Sequence, residues 1–458
     1  MFYLQARKVN KTLLKNIKIF ETKTQKILNS SVLIKGEFIE DIFYGHTPPI
    51  NCNLVDLKGY IAFPGFIDSH THFKLKLEDN KFNSDDFISG SKSCISGGIT
   101  TFIDFTDGDY IDCEKDLNKR IKEAKGSLCD YSFHFVLKNL KGKKDIDYRF
   151  KILNDIGAKS VKIFTTYKNR GLMSDEESMC FILQNAAKFD KVVLIHAESD
   201  SIINYNLCDN KYIKKISYHN IIRNEFSEVY EISKILKLNE KFRAKIYFVH
   251  ISSAKSLEVI NKYKESGFEV YAETCPQYIL FDESIYKRKD NYLYTFTPPV
   301  RTLKNRIDMI NNLKNFDVIA SDSCAFNIED KIKFKDNLQK IPMGVASTQL
   351  LFPILYTYGV KTKKIGFDRL ISLLSANPAN IFKLKNKGGL GKKFYADISI
   401  FSLDESFIVN HNNLSHKSDY SVYDGIKLYG KLKYLFLRGR LIFKEGKISN
   451  DFKGKFIC

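Results

Sequence analysis

His70 and His72 sit one residue apart at the end of an apolar run, Ile61-Ala-Phe-Pro-Gly-Phe-Ile-Asp-Ser-His-Thr-His72. In an extended strand residues i and i+2 share a face, so the two imidazoles project together. Two imidazoles on one face are half of a metal site. Alone, the pair is a weak signal, equally explained by two polar residues in a turn. Other apolar runs end in the same way. Lys162 lies in Ser-Val-Lys-Ile-Phe-Thr, His196 follows Val-Val-Leu-Ile, His250 follows Ile-Tyr-Phe-Val, and Asp322 follows Val-Ile-Ala-Ser. Each has an ordinary reading: a hydrogen-bonded structural histidine, a snorkelling lysine, an aspartate capping the next helix. Six such residues on five strand ends make coincidence a poor account.

Their types define a chemistry. Imidazole and carboxylate suit Zn²⁺ and similar divalent ions. An ammonium cannot ligate, but an apolar strand and nearby cations lower its pKa. The neutral amine can add carbon dioxide and become a carbamate, an anion whose two oxygens can bridge two metals. Two ions about 3.5–4 Å apart share a hydroxide that is nucleophilic at neutral pH. Asp322 would bind one ion, take the proton as hydroxide attacks, and return it to a leaving nitrogen.

These residues need a scaffold that brings distant strand ends to one rim. Eight short apolar, β-branched or aromatic runs supply candidates: Ile61–Ile67, Thr100–Phe105, Tyr131–Val136, Ser160–Phe164, Val192–Ile195, Lys245–Val249, Glu269–Ala272 and Asp317–Ala320. Helical patterning lies between most of them, as in Glu176–Lys188 and Ser253–Tyr263. Eight strand–helix units predict an α/β fold, a (β/α)8 TIM-like barrel, whose active sites form at the C-terminal strand ends. A doubly wound open sheet is the alternative, weakened because no Gly-x-Gly-x-x-Gly follows the first strand. Leu13–Phe20, Ser31–Ile34 and Phe38–Phe43 at one end, and Asp397–Phe401, Lys433–Arg438 and Arg440–Phe443 at the other, are β-rich, with Arg438-Gly-Arg440 as a hairpin turn. They predict a small β-sandwich domain built from both termini. The expected divisions are 1–60 and 385–458 for that domain and 61–384 for the barrel.

Composition excludes other classes. The 458 residues are 44% hydrophobic, enough for a substantial core, yet no apolar run is long enough to span a bilayer. Residues 1–8 lack the charged-then-apolar order of a signal peptide, so a cytoplasmic protein without a membrane partner is expected. Nine cysteines with no Cys-x-x-Cys argue against a structural zinc site or a disulfide framework. The net charge of +19 is spread along the chain rather than concentrated in a stripe, so no nucleic-acid partner is expected.

At these residues the sequence resembles the cyclic amidohydrolases, most closely the dihydropyrimidinase/hydantoinase family, from about residue 10 to about residue 448. The resemblance is carried by Pro64-Gly-Phe-Ile-Asp-Ser-His-Thr-His72, Asp85-Asp-Phe87, Gly97-Gly-Ile-Thr-Thr-Phe-Ile-Asp104 and Val161-Lys-Ile-Phe-Thr-Thr-Tyr-Lys-Asn169. His196-Ala-Glu198, His250-Ile-Ser-Ser253, Glu273-Thr-Cys-Pro-Gln-Tyr278, Pro298-Pro-Val-Arg301, Asn377-Pro-Ala379 and the tail Asp419–Ile448 extend it. It implies two divalent metal ions, expected to be Zn²⁺, held by His70, His72, Lys162 as N6-carboxylysine, His196, His250 and Asp322. It implies ring-opening hydrolysis, by a metal-bridging hydroxide, of dihydropyrimidines such as dihydrouracil or of 5-substituted hydantoins. Tyr167 matches a tyrosine that donates to the substrate carbonyl, an oxyanion-stabilising role. Thr297 and Met343 match positions that hold substrate through their backbones. The implied assembly is a homotetramer, or a homodimer.

Three residues depart from the family pattern: Ser323 after Asp322, Met343 where Asn is usual, and Lys74, where dihydroorotases carry an Arg that binds the substrate carboxylate. The alternatives are therefore a dihydroorotase- or allantoinase-like cyclic amidase, and a non-catalytic scaffold on the same fold. Tyr167 argues against the first pair and the full ligand set against the second. His134 and His219 read as structural or supporting residues, and Asp68 and Glu198 as candidates to orient ligand imidazoles.

Overall fold

The computed structural model describes residues 11–21, 24–49, 51–77, 81–208, 215–449 and 451–457. The N-terminal octapeptide weighed above as a leader lies outside the described residues, as do residues 78–80 of the loop after His72.

Seventeen strands form two sheets among the described residues. The first five are β1 (Lys11–Glu21), β2 (Lys26–Lys35), β3 (Phe38–Tyr44), β4 (Asn53–Asp56) and β5 (Ile61–Pro64). The barrel strands follow: β6 (Phe66–Asp68), β7 (Ile99–Phe105), β8 (Asp130–Val136), β9 (Ser160–Phe164), β10 (Val192–His196), β11 (Lys245–Phe248), β12 (Val270–Thr274) and β13 (Val318–Ile319). The last four are β14 (Ile398–Ile408), β15 (Lys427–Leu437), β16 (Arg440–Lys444) and β17 (Lys447–Ile448).

Strands β6 to β13 pair in sequence order, all parallel. A parallel bridge between Thr71 and Ser323 brings the two ends together, with His72 N donating to the Ser323 carbonyl at 2.9 Å. This is the TIM-like barrel. Alternation along the strands sorts their side chains into two layers. Val161, Ile163, Val193, Ile195, Ile246 and Phe248 join the large cluster between strands and helices. Ile67, Phe105, Leu194, Tyr247 and Val249 form the inner layer, with Phe382 and Leu384 packed against it. Lys162, between Val161 and Ile163, therefore points inward. The helix over Glu176–Lys188 forms as its pattern predicts, capped by Asp175, and Ser253 caps the helix Ala254–Glu265.

The termini build the second unit. Its nine-stranded mixed sheet runs β17-β16-β15-β14-β5-β1-β2-β3, with β4 beside β1. Arg438 and Gly439 join β15 to β16 with φ of 46° and 74°, the two left-handed residues that a tight hairpin prefers. One expectation changes here. Ile61–Ile67 is two strands, not one: β5 pairs with β14 and β1 of the termini sheet, and only after Gly65 does the chain enter the barrel. Gly65 is pressed between Thr100 and Asp397, where a Cβ would lie 2.3 Å from the Thr100 hydroxyl oxygen. No described helix is long and apolar enough to cross a membrane.

Candidate active site

The six strand-end residues meet on one rim of the barrel. Asp322 Oδ1 lies 3.2 Å from His70 Nε2 and 3.1 Å from His72 Nε2. Beside this trio, His196 Nδ1 faces His250 Nε2 at 3.0 Å, and the His70 and His250 rings are 5.5 Å apart. Lys162, 1% exposed, lies between the groups. Its Nζ rests over Phe105, whose ring packs on His70 and His72, and over Phe164, which packs on His196. Burial pushes the Lys162 ammonium down to about 8, against the pull of Asp322, Glu273 and Cys275. The shift raises the share of neutral amine near neutral pH, the form that can add carbon dioxide.

Carboxylates fix the direction of the imidazole lone pairs. Glu273 Oε1 lies 2.7 Å from His70 Nδ1, and Glu198 Oε2 lies 2.8 Å from His196 Nε2. Each accepts a hydrogen bond from the ring nitrogen it touches, which leaves the other nitrogen of that ring with a lone pair. Burial holds the His70 pKa well below its ordinary value, so the ring is neutral. Its lone pair then faces the Asp322 carboxylate oxygen across 3.2 Å. Two such acceptors repel unless something positive lies between them. His70, His72 and Asp322 offer donor atoms all within 4.8 Å of one another, a set that fits a divalent cation.

Three of the chain's left-handed non-glycine residues lie at the same place. Tyr167, His250 and Asp322 have φ of 66°, 39° and 49°, left-handed values that cost a non-glycine residue of order 1–3 kcal/mol in sparsely populated cases. The twist after β9 carries the Tyr167 ring to 5.5 Å from that of His196. The Arg223 guanidinium covers the tyrosine's ring at 4.8 Å and pairs with Glu198. Although burial opposes it, Arg223 and His196 hold the Glu198 carboxyl down to about 2. Thr297 adjoins the Tyr167 side chain and is 9% exposed; Met343 is half-buried. Gly344 N donates to the Thr295 carbonyl at 2.9 Å, tying the segments of Thr297 and Met343 together.

Several supporting residues differ from expectation. Asp68 does not touch an imidazole; it accepts from the backbone of Ser321 at 3.0 Å and of His70 at 3.4 Å. Glu273 takes the orienting place instead, and also accepts from His250 N at 3.0 Å and Tyr247 OH at 2.7 Å. The sequence signal for it was a lone acid closing an apolar strand, the rule that found the histidines. Glu273 directly follows the expected strand Glu269–Ala272, so the rule applies to it, and the resemblance rather than an orienting role singled it out. Asp104, at the end of β7, accepts from Phe73 N and Thr71 Oγ1 and pairs with Arg120, bracing the chain just after His72. Lys74 has its own partners, Glu123 at 3.5 Å and the Phe82 ring. His134 bridges Ser160 and the Ser69 carbonyl, while His219 donates to the Phe296 carbonyl at 2.8 Å.

Known proteins resemble the chain along most of its length. The amidohydrolase family pattern matches residues 61–442. The D-hydantoinase of Ralstonia pickettii is 28% identical over 423 residues, covering 88% of this chain and 90% of that one. The D-phenylhydantoinase of Escherichia coli O1:K1 is 26% identical over 439 residues, covering 93% and 94%. The crystal structure of dihydropyrimidinase from Brevibacillus agri superimposes with a TM-score of 0.91 at 26% identity, covering 97% of this chain and 98% of that one. The chain belongs to the amidohydrolase family. Within it, the relatives place the chain among the hydantoinases and dihydropyrimidinases, a group of metal-dependent enzymes.

Proposed function

We propose that the protein hydrolyses a cyclic amide, opening the ring of a 5,6-dihydropyrimidine such as dihydrouracil or of a 5-substituted hydantoin. One observation carries the reading: four imidazoles, Asp322 and an inward, buried Lys162 share one barrel rim, with acids backing His70 and His196. His70, His72 and Asp322 would hold one divalent ion, His196 and His250 a second, and Lys162, as N6-carboxylysine, would bridge them. Imidazole with carboxylate favours Zn²⁺. When bound, such ions act as Lewis acids that polarise a carbonyl and acidify water.

The rest of the chemistry belongs to the chain. Asp322, 13% exposed at its side chain, takes the proton of the attacking water. The new C–O bond forms first at the carbonyl carbon; the ring C–N bond then breaks as Asp322 returns the proton to the departing nitrogen. Tyr167 donates its hydroxyl to the carbonyl oxygen as negative charge develops there. Backbone groups at Thr297 and Met343 hold the imide-like edge of the ring.

Lys74, occupied by Glu123, gives an anionic ring little to bind. A panel of dihydrouracil, 5-phenylhydantoin, dihydroorotate and allantoin tests the assignment. We expect the first two to yield ureido acids. Turnover of dihydroorotate or allantoin alone would move the enzyme to another branch.

A further inference from the structure

Lys331 is wholly buried, in the short helix Ile328–Ile332, and makes no ion pair among the described residues. That is an unusual state for an ammonium, which is costly to bury unpaired. Lys387, also deeply buried, has Asp130 and Asp397 each at 2.6 Å. Lys331 instead spends its three protons on neutral oxygens: the Leu293 carbonyl at 3.3 Å, the Thr295 carbonyl at 2.9 Å and the Thr295 hydroxyl at 3.0 Å.

Thr295 is the joint between the two segments assigned to substrate. Its carbonyl also accepts from Gly344 N at 2.9 Å, next to Met343. Its hydroxyl lies 3.0 Å from the Tyr292 carbonyl and 3.1 Å from the Pro342 carbonyl. With the ammonium occupying a hydroxyl lone pair, the single hydroxyl proton must point toward those carbonyls. One cation thus orients the Thr295 hydroxyl and holds its carbonyl where Gly344 meets it. Two residues on, Thr297 inherits that position; from the other side His219 fixes the Phe296 carbonyl.

We propose that Lys331 is a positioning residue that sets substrate affinity, clamping the Thr297 and Met343 backbones in one binding edge. This rests on reading those segments as the cyclic-amide pocket. Burial pushes the Lys331 ammonium down to about 7, with Cys324 and Asp330 as the charged or titratable groups that oppose the shift.

The test compares Lys331→Met with wild type in metal-loaded full-length protein. Losing hydrogen bonds from a charged donor predicts a KM for dihydrouracil raised about tenfold or more. We expect kcat within about threefold and unchanged metal content, because Lys331 touches no reacting group. Amide hydrogen exchange should speed up in peptides covering 293–298 and 342–346 and nowhere else on the rim. Equal KM together with equal exchange in these peptides overturns the proposal, as does a loss confined to kcat. If the variant does not fold, Thr295→Val, which removes the hydroxyl and leaves the lysine, is read in the same way. A wild type that opens no ring refutes the functional assignment, while the exchange measurement still decides the clamp.

Discussion

Replacing Glu273 separates two things the site asks of one buried carboxylate. Fully buried, it accepts from His70 Nδ1 and Tyr247 OH, each at 2.7 Å, and from His250 N at 3.0 Å. Glu273→Ala strands all three donors. A water in the vacated space can serve two, so one orphan remains, worth about 1–3 kcal/mol of stability. The same change frees the His70 ring and removes the acceptor that fixes its tautomer. Loss of such a support typically costs about 10–100-fold in metal affinity, or about 1.4–2.8 kcal/mol. Glu273→Gln behaves differently. Its amide oxygen can keep His70 and His250, and its NH₂ can donate to Tyr247, whose proton then turns toward Ser69 Oγ at 3.4 Å. Burial pushes the native carboxyl up to about 7, so removing its charge is no burden to the fold. Glu273→Gln should keep wild-type stability and lose about tenfold in metal affinity at most, because the amide oxygen still fixes the His70 tautomer and only the charge that makes the imidazole more basic is gone. Urea unfolding of the metal-free proteins and chelator competition for the metal give the two numbers. Metal affinities equal to wild type in both variants would refute the view that Glu273 sets the His70 lone pair.

The other predictions concern residues that would touch substrate. Asp322→Asn should lower kcat by about 10²–10⁴-fold, the usual worth of a general acid–base. Circular dichroism and melting should stay near wild type, since Asn tolerates the φ of 49° at this position as well as Asp does; near-normal turnover would remove Asp322 from proton transfer. Tyr167→Phe should cost about 10²-fold or more in kcat with little change in KM, if its hydroxyl meets the developing oxyanion. A change in KM alone would make Tyr167 a packing residue.

Much of the barrel was legible because parallel strands are buried on both faces and read as unbroken apolar runs. The rim was legible for the converse reason: a polar residue closing such a run, as His196 closes Val192–Ile195, has few reasons to be there. What failed was non-local. Ile61–Ile67 looks continuous, and its division at Gly65 depends on pairing with Ile398–Phe401, more than 300 residues away. Lys331 sits in Ile-Glu-Asp-Lys-Ile-Lys-Phe-Lys, which reads as a solvated face. Its burial is decided by Leu293 and Thr295, which no local pattern connects to it. Lys74 shows the same limit: it matches a position where dihydroorotases carry Arg, and only the fold brings Glu123, on a neighbouring helix, to 3.5 Å from its ammonium. Asp68 and Glu273 are equally acidic in sequence, and only the fold decides which one reaches the His70 ring.

The most direct test of the whole account measures metal content and dihydrouracil ring opening side by side, in wild type and in Lys162→Ala, with zinc and bicarbonate supplied. The account predicts two ions per chain and clear turnover in wild type, and loss of both the full metal complement and turnover in the variant. A Lys162→Ala protein that holds two ions and opens the ring at the wild-type rate would contradict it.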